Sequence, residues 1–305
     1  RPLRASVWIR IRHRLELAGV RILRALPRIL PFKASVKVGG TLGVFFFDCI
    51  RLRRRVTLEN LDRAFGDTLS GAEKVRIARR SYVNFAKSIV EFASLGRLKR
   101  RDYLRLVRFE GLENVRNELA AGRGVVIVTG HFGSWELLGA GAVAQGLPVD
   151  FLVGEQTNKL VNGLMNDLRR AAGIGIIERG VAARGVFESL KKRRVVALLA
   201  DQDARKAGIF VDFFGAPAST FQGPAQFAYR TGSPIVCCCI VRRGDETHDA
   251  VLFPPLRPRE GADRDAEIAR LTQEHARILE DCVRRHPGEY FWAHRRWKTR
   301  PPASP

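Results

Sequence analysis

Apolar residues along this chain change their spacing near residue 105. Ahead of that point they recur at helical intervals. Val7, Ile11, Leu15, Ala18, Ile22, Leu26 and Ile29 form one stripe, with Trp8 beside it and arginines elsewhere. Residues 1–50 therefore read as basic amphipathic helices, broken at Pro27, Pro31 and Gly39-Gly40. A longer helix is expected from Ser70 to Leu95, with Gly71-Ala72-Glu73 in its first turn.

Beyond residue 105 short apolar runs alternate with helical patterns. The runs are LVRF (106–109), GVVIVT (124–129), VDFLVG (149–154), IGII (174–177), VVALLA (195–200), PIVCCCIV (234–241) and AVLF (250–253). Helical stretches such as 158–172 and 180–192 lie between most of them, and helices are expected again over 264–285 and near 289–297. Such alternation predicts an α/β fold with a mixed, mainly parallel sheet flanked by helices, following a basic amphipathic helical N-terminus.

Charge sharpens this picture. The chain of 305 residues carries a formal net charge of +22, and residues 1–55 hold 14 Lys/Arg against only Glu16 and Asp48. An anionic partner is implied: nucleic acid, an anionic membrane surface or a phosphorylated substrate. Basic residues interleaved with an apolar stripe suit a helix lying in a membrane interface, or one packed on the domain by the same stripe. Uncharged segments such as LLGAGAVAQGLPV (137–149) and VGGTLGVFFF (38–47) fall short of the roughly 18 apolar residues of a spanning helix. A short spanning segment ahead of Arg1 stays open. A nucleic-acid role lacks an RNP pattern, zinc-finger spacing or helix-turn-helix, so no nucleic acid is expected. Cys49, Cys237, Cys238, Cys239 and Cys282 show neither disulfide framework nor metal spacing. The CCC run reads as small hydrophobes in a buried strand, which fits a reducing setting.

The chemistry concentrates where one buried strand gives way to a helix. TGHFGSWELLG (129–139) follows GVVIV and holds His131 and Glu136 among glycines. In an open α/β sheet, reactive groups gather beyond the carboxyl ends of the strands. Ser134 as N-cap would place Glu136 in the first helical turn, where the chain can fold the imidazole back onto the carboxylate. Glu136 would then fix the tautomer and leave the other ring nitrogen as a base. There is no GxSxG elbow and no HExxH motif. A His–Glu pair without a protein nucleophile suits direct attack by a substrate hydroxyl on an activated acyl group.

TGHFGSWELLGA resembles the HX4E motif of the lysophospholipid acyltransferase superfamily, specifically its lipid A late-acyltransferase branch of lauroyl and myristoyl transferases. LENLDRAFG, LLADQDARKAGIFVDFFGAPAST (198–220), GPAQFAYRTGSPIV (223–236) and YFWAHRRWKTRP (290–301) resemble the same branch, so the likeness runs from about residue 55 to 301. The resemblance implies a glycerol-3-phosphate acyltransferase-like fold, with membrane-associating helices over 1–55 and the acyltransferase domain over 56–305. It implies His131 as general base, with Glu136 holding the imidazole. The donor would be acyl-acyl carrier protein or acyl-CoA, and the acceptor a lipid A precursor or related glycolipid. The setting would be the cytoplasmic face of a bacterial inner membrane, with no cofactor and no metal.

Other positions follow from the resemblance. Arg179 lies where the family often carries a basic residue, suited to a phosphate or the oxyanion. Asp201-Gln202-Asp203 matches an acidic block after a strand and would shape the site. Asn158 matches the asparagine of a family motif that usually has an arginine before it. Here VGEQTN (153–158) puts Gly154 or Glu155 in that place, which bears on acceptor identity. Arg295 and Arg296, in the closing cationic cluster, suit bidentate phosphate binding; alternatively one of them pairs with Asp201 or Asp203 and pins the tail. A lysophospholipid, an aminolipid or a phosphatidylinositol mannoside-like acceptor is the alternative substrate.

Overall fold

The computed structural model describes residues 2–178 and 182–302. Two helices open the chain, α1 (Pro2–Ile29) and α2 (Phe32–Phe45). Pro27 falls in the last turn of α1, where its missing N–H removes one i→i−4 hydrogen bond, and the helix stops two residues later. Gly39-Gly40 do not break α2 as expected. They and Gly43 form the face that meets α4 (Gly71–Ser94): a Cβ on Gly43 would lie 2.6 Å from the Tyr82 carbonyl oxygen. Here glycine serves close backbone approach. Ser70 caps α4 through a reciprocal bond with Glu73.

The sheet has seven strands in the order β1-β9-β8-β2-β5-β3-β4. They are β1 (Val107–Glu110), β2 (Val125–Thr129), β3 (Val149–Val153), β4 (Gly175–Glu178), β5 (Val195–Leu199), β8 (Ile235–Arg242) and β9 (His248–Leu252). Within this sheet, among the described residues, only β8 and β9 pair antiparallel. Central β2 is buried at every position, as a parallel strand covered on both faces must be. One face carries α4, α5 (Arg100–Leu106) and α7 (Trp135–Ala144) over Val125, Ile127, Val195 and Val236. The other carries α9 (Ala182–Lys191), α10 (Gly223–Thr231) and α11 (Arg264–Arg285) over Val126, Val128, Val196 and Cys237.

Three features depart from the sequence pattern. Residues 209–220 form a hairpin, β6 (Ile209–Phe213) with β7 (Ala216–Thr220), turning through Phe214 and Gly215 at φ 58° and 70°. Cys239 on β8 and Cys282 on α11 are paired as a disulfide rather than lying apart as plain hydrophobes. Instead of a helix, residues 290–299 form an irregular tail after a short 3-10 turn, Pro287–Glu289.

Candidate active site

Strand register assembles the centre. Thr129 at the end of β2 lies opposite Leu199 at the end of β5. Two residues further along each strand come His131 and Asp201, so a parallel pairing brings together groups 70 positions apart. Asp201 receives the His131 backbone N–H at Oδ2 and the ring Nδ1–H at Oδ1, both at 2.9 Å. With Nδ1 committed, Nε2 is the free acceptor; it faces the Gln202 side-chain nitrogen at 3.4 Å. The Trp135 ring meets the imidazole edge-on at 4.9 Å between centroids.

The turn bearing His131 is held from several sides. Gly133 sits at φ 58°, and a Cβ there would approach the Ile240 carbonyl oxygen to 1.9 Å, so only glycine fits. Gly133 N–H donates to the Glu289 carbonyl at 2.9 Å, and Phe291 N–H donates to the His131 carbonyl at 2.9 Å. Ser88 Oγ on α4 donates to the Gly133 carbonyl at 3.1 Å.

Electrostatics follow from these partners. Burial alone disfavours the imidazolium, but the charge and hydrogen bond of Asp201, with the charge of Glu136 added, outweigh it, and the His131 pKa is raised. Burial likewise opposes the Asp201 carboxylate, yet the histidine beside it keeps its pKa lowered.

Glu136 does not hold the ring. It lies buried in the first turn of α7, where Arg169 of α8 (Lys159–Ala171) grips it: Arg169 Nε lies 3.1 and 3.0 Å from its two oxygens, and Nη2 2.5 Å from Oε1. Arg169 Nη1 donates to Asn166 Oδ1 at 3.0 Å, and its guanidinium lies over the Phe92 ring. The expected contact between Glu136 and the imidazole is thus replaced by Asp201 on one side and Arg169 on the other. The five-residue offset turns Glu136 toward α8, while the β2–β5 register presents Asp201. Sequence reasoning did not single out Arg169; its signal is an arginine inside the buried stripe of α8, beside Asn166 and Leu168.

The remaining expected positions divide. Gln202 faces the imidazole. Asp203 accepts from Thr299 Oγ1 at 3.0 Å, and its backbone N–H donates to His294 Nε2 at 2.9 Å. Asn158 is the N-cap of α8, accepting from Leu160 and Val161 N–H, and its amide donates to the His13 carbonyl and Glu16 of α1. Those bonds give it a structural duty in place of the expected substrate contact. Arg295 is exposed, but Arg296 is only 2% exposed. Arg296 donates to the Ser219 carbonyl and Thr220 Oγ1 of the hairpin, which makes it a pin for the tail and not a phosphate fork. Arg179 lies outside the described residues. Among the described residues no three His, Cys, Asp or Glu side chains are grouped as a metal ion would need.

A cleft of about 590 Å³ between α7 and the sheet has His131, Glu136, Arg169 and Gln202 in its wall. Beside this polar cluster most of its lining is apolar, with Phe92, Leu138, Phe151, Met165 and Leu252 among it. A few convergent polar groups over a deep apolar slot suit a ligand with a reactive head and a hydrocarbon tail.

An open α/β sheet with a carboxylate-oriented histidine over an apolar slot suits an enzyme that acts on hydrophobic groups. Residues 9–299 match the family described as bacterial lipid A biosynthesis acyltransferase, and the chain belongs to that family: it is an acyltransferase. It is similar to the lipid A biosynthesis lauroyltransferase of Escherichia coli K12, at 24% identity over 307 residues, 100% of this chain and 98% of that one. The lipid A biosynthesis palmitoleoyltransferase of the same organism is 25% identical over 276 residues, 89% and 87% of the two chains. A phosphatidylinositol mannoside acyltransferase of Mycobacterium tuberculosis H37Rv is 28% identical over 193 residues, 61% and 58% of the two chains.

Proposed function

We propose that this enzyme moves a fatty acyl chain from acyl-acyl carrier protein, or acyl-CoA, to a hydroxyl of a lipid A precursor or related glycolipid. The observation that carries the reading is the His131–Asp201 pair at the apolar cleft, with Nε2 directed to where an acceptor hydroxyl would lie. The hydroxyl oxygen attacks the thioester carbonyl carbon as its proton passes to His131 Nε2. Asp201 holds the ring and stabilises the imidazolium, with Glu136, fixed by Arg169, as a second negative charge. Collapse of the tetrahedral intermediate breaks the C–S bond, and the departing thiolate takes the proton from His131. General-base assistance of this kind is worth about 10²–10⁴ in rate; positioning and stabilisation of the oxyanion supply the rest.

The acyl donor's hydrocarbon would lie in the cleft, and the acceptor would come from a bilayer. Supporting the second point, Ile11, Leu15, Ile22 and Ile29 of α1 are exposed among arginines, and among the described residues no helix is long and apolar enough to cross a membrane. We therefore assign residues 1–55 a membrane-associating role at the cytoplasmic face of the inner membrane, and residues 56–305 the chemistry. The similarity to the mannoside enzyme and the missing arginine ahead of Asn158 favour, as a second reading, the same chemistry on another glycolipid.

Replacing His131 with alanine should lower transfer by at least about 10²-fold while leaving the fold intact, as checked by mass spectrometry of acceptor lipids and by melting temperature. Near-normal turnover by that variant would remove His131 from the mechanism. Lipids from a strain lacking the gene should contain a species lighter by one acyl group, and its headgroup identifies the acceptor.

A further inference from the structure

Between α2 and α3 (Arg54–Phe65) the chain makes a π-helical turn, Phe46–Ile50, followed by Arg51 and Arg53 in the left-handed region at φ 57° and 56°. Each such residue without glycine costs on the order of 1 kcal/mol, and strain of this kind tends to persist at functional segments. Its effect here is to turn large apolar groups outward. Phe45 is 49%, Phe46 42%, Ile50 52% and Leu52 60% exposed.

The exposure is not that of a loose end. Phe47 of the same turn is fully buried, packs edge-on against Tyr82 and lies under the Arg54 guanidinium. Tyr82 Oη donates to the Leu52 carbonyl. Arg53 Nη1 donates to the Ala293 carbonyl at 3.2 Å.

Charge completes the pattern. The Asp48 carboxylate is paired with Arg79 at 2.9 Å. The Arg51 side chain donates to the Asp48 backbone carbonyl. Arg51, Arg53 and Arg54 thus have no carboxylate partner among the described residues. Four outward apolar side chains beside three unneutralised guanidinium groups are the two components of an interfacial site on anionic lipid.

We propose that residues 45–52 form a fixed knuckle that inserts into an anionic bilayer, separately from α1. The proposal rests on the membrane-acceptor reading above and adds the place of contact. Arg53 bonds to Ala293; the next residue, His294, bonds to the Asp203 N–H, and the neighbouring Gln202 faces His131. A short run of bonds therefore links the knuckle to the rim of the cleft. Inserting it would set that rim against the bilayer, where an acceptor can offer its hydroxyl while its own tails stay in lipid.

Cys49 lies in the knuckle, exposed, while Cys237 and Cys238 are buried and Cys239 and Cys282 are paired. The full chain labelled at Cys49 with an environment-sensitive probe should show blue-shifted emission with vesicles containing phosphatidylglycerol. Lipids brominated in the acyl chain should quench it, and high salt should reverse it. Phe46→Ser with Leu52→Ser should weaken vesicle binding about tenfold or more. The same variant should leave turnover of a short-chain, water-soluble acceptor unchanged. If the chain sediments with vesicles while the Cys49 probe still reports water, another surface carries the contact; this proposal fails and the membrane reading survives. A probe change that follows protein concentration without vesicles, with matching self-association, would make the patch a contact between copies and overturn the proposal. No sedimentation with any vesicle would sink both readings.

Discussion

The imidazole at position 131 is hydrogen-bonded to a carboxylate that the chain reaches only after three further strands. Replacing Asp201 with asparagine tests this pairing through pH. Under the proposed mechanism activity requires neutral His131, so turnover should rise as pH climbs through its pKa, which the Asp201 charge raises above the usual histidine value. Without that charge, burial is the dominant influence and lowers the pKa. The acid limb of kcat/KM should therefore move to lower pH, while the plateau falls by at least about 10²-fold as the ring loses its tautomer and orientation. A lowered plateau with an unmoved limb would mean that Asp201 supports the loop without touching the titration. His131 was legible from its own neighbourhood, a buried strand ending in glycines. Its partner was not, because the choice of Asp201 over Glu136 depends on which strands pair and in what register. Arg169 and Arg296 were obscured for a related reason. A buried arginine and a solvated one look alike until the neighbouring elements are in place.

At the level of elements, α7 and β3 set the depth of the cleft. Gly139 on α7 faces Phe151 on β3, and a Cβ on Gly139 would lie 2.2 Å from Phe151 Cζ. Both residues line the cleft. Gly139→Val should push the Phe151 ring into the slot and shorten the acyl chain that fits. Each methylene excluded from an apolar site forfeits about 0.8 kcal/mol, close to fourfold in kcat/KM. A series of acyl donors of increasing length, assayed on the folded variant, should thus show the optimum moved to shorter chains. An unchanged length profile would place the tail elsewhere. The strands themselves were easily read, since continuous runs of Val, Ile, Leu and Cys have no other home than a doubly covered sheet. The hairpin at 209–220 was not, because FFGAP breaks the alternation and the segment is held by Arg296 and α11 as much as by its own pattern. The helix expected near 289–297 fails for a comparable reason: its carbonyls are taken by Arg53, Asn60 and Ser81, and the N–H groups of Phe291, Trp292 and Arg296 go to the His131 carbonyl and nearby tail carbonyls, which leaves no helical ladder.

Across the whole molecule the tail joins elements far apart in sequence, and one of its groups tunes stability. Glu289 is buried, with Oε1 accepting from Asn84 at 2.8 Å, and burial pushes its carboxyl up to about 7. An unfolded glutamate ionises near 4.3. Between these values the folded chain keeps a proton that the unfolded chain has lost, so stability is highest below the lower value and declines as pH rises through the upper one. Glu289→Gln keeps an acceptor for Asn84 and removes the penalty. The variant should gain up to about 3 kcal/mol over the parent at pH 8 and little at pH 5. Equal shifts in melting temperature at both pH values would exonerate the carboxyl. The same tail sets the order of assembly during synthesis. The turn holding His131 donates a hydrogen bond to residue 289 and accepts one from residue 291, and the loop holding Asp201 is tied to 290, 294 and 299. A nascent chain emerging from the ribosome completes its sheet strands well before those residues appear. A chain stopped at residue 288 should accordingly hold much of its sheet yet transfer no acyl groups, as circular dichroism and a transfer assay would show. Acyl transfer then begins only once translation has passed the tail, so a stalled ribosome carries no active enzyme.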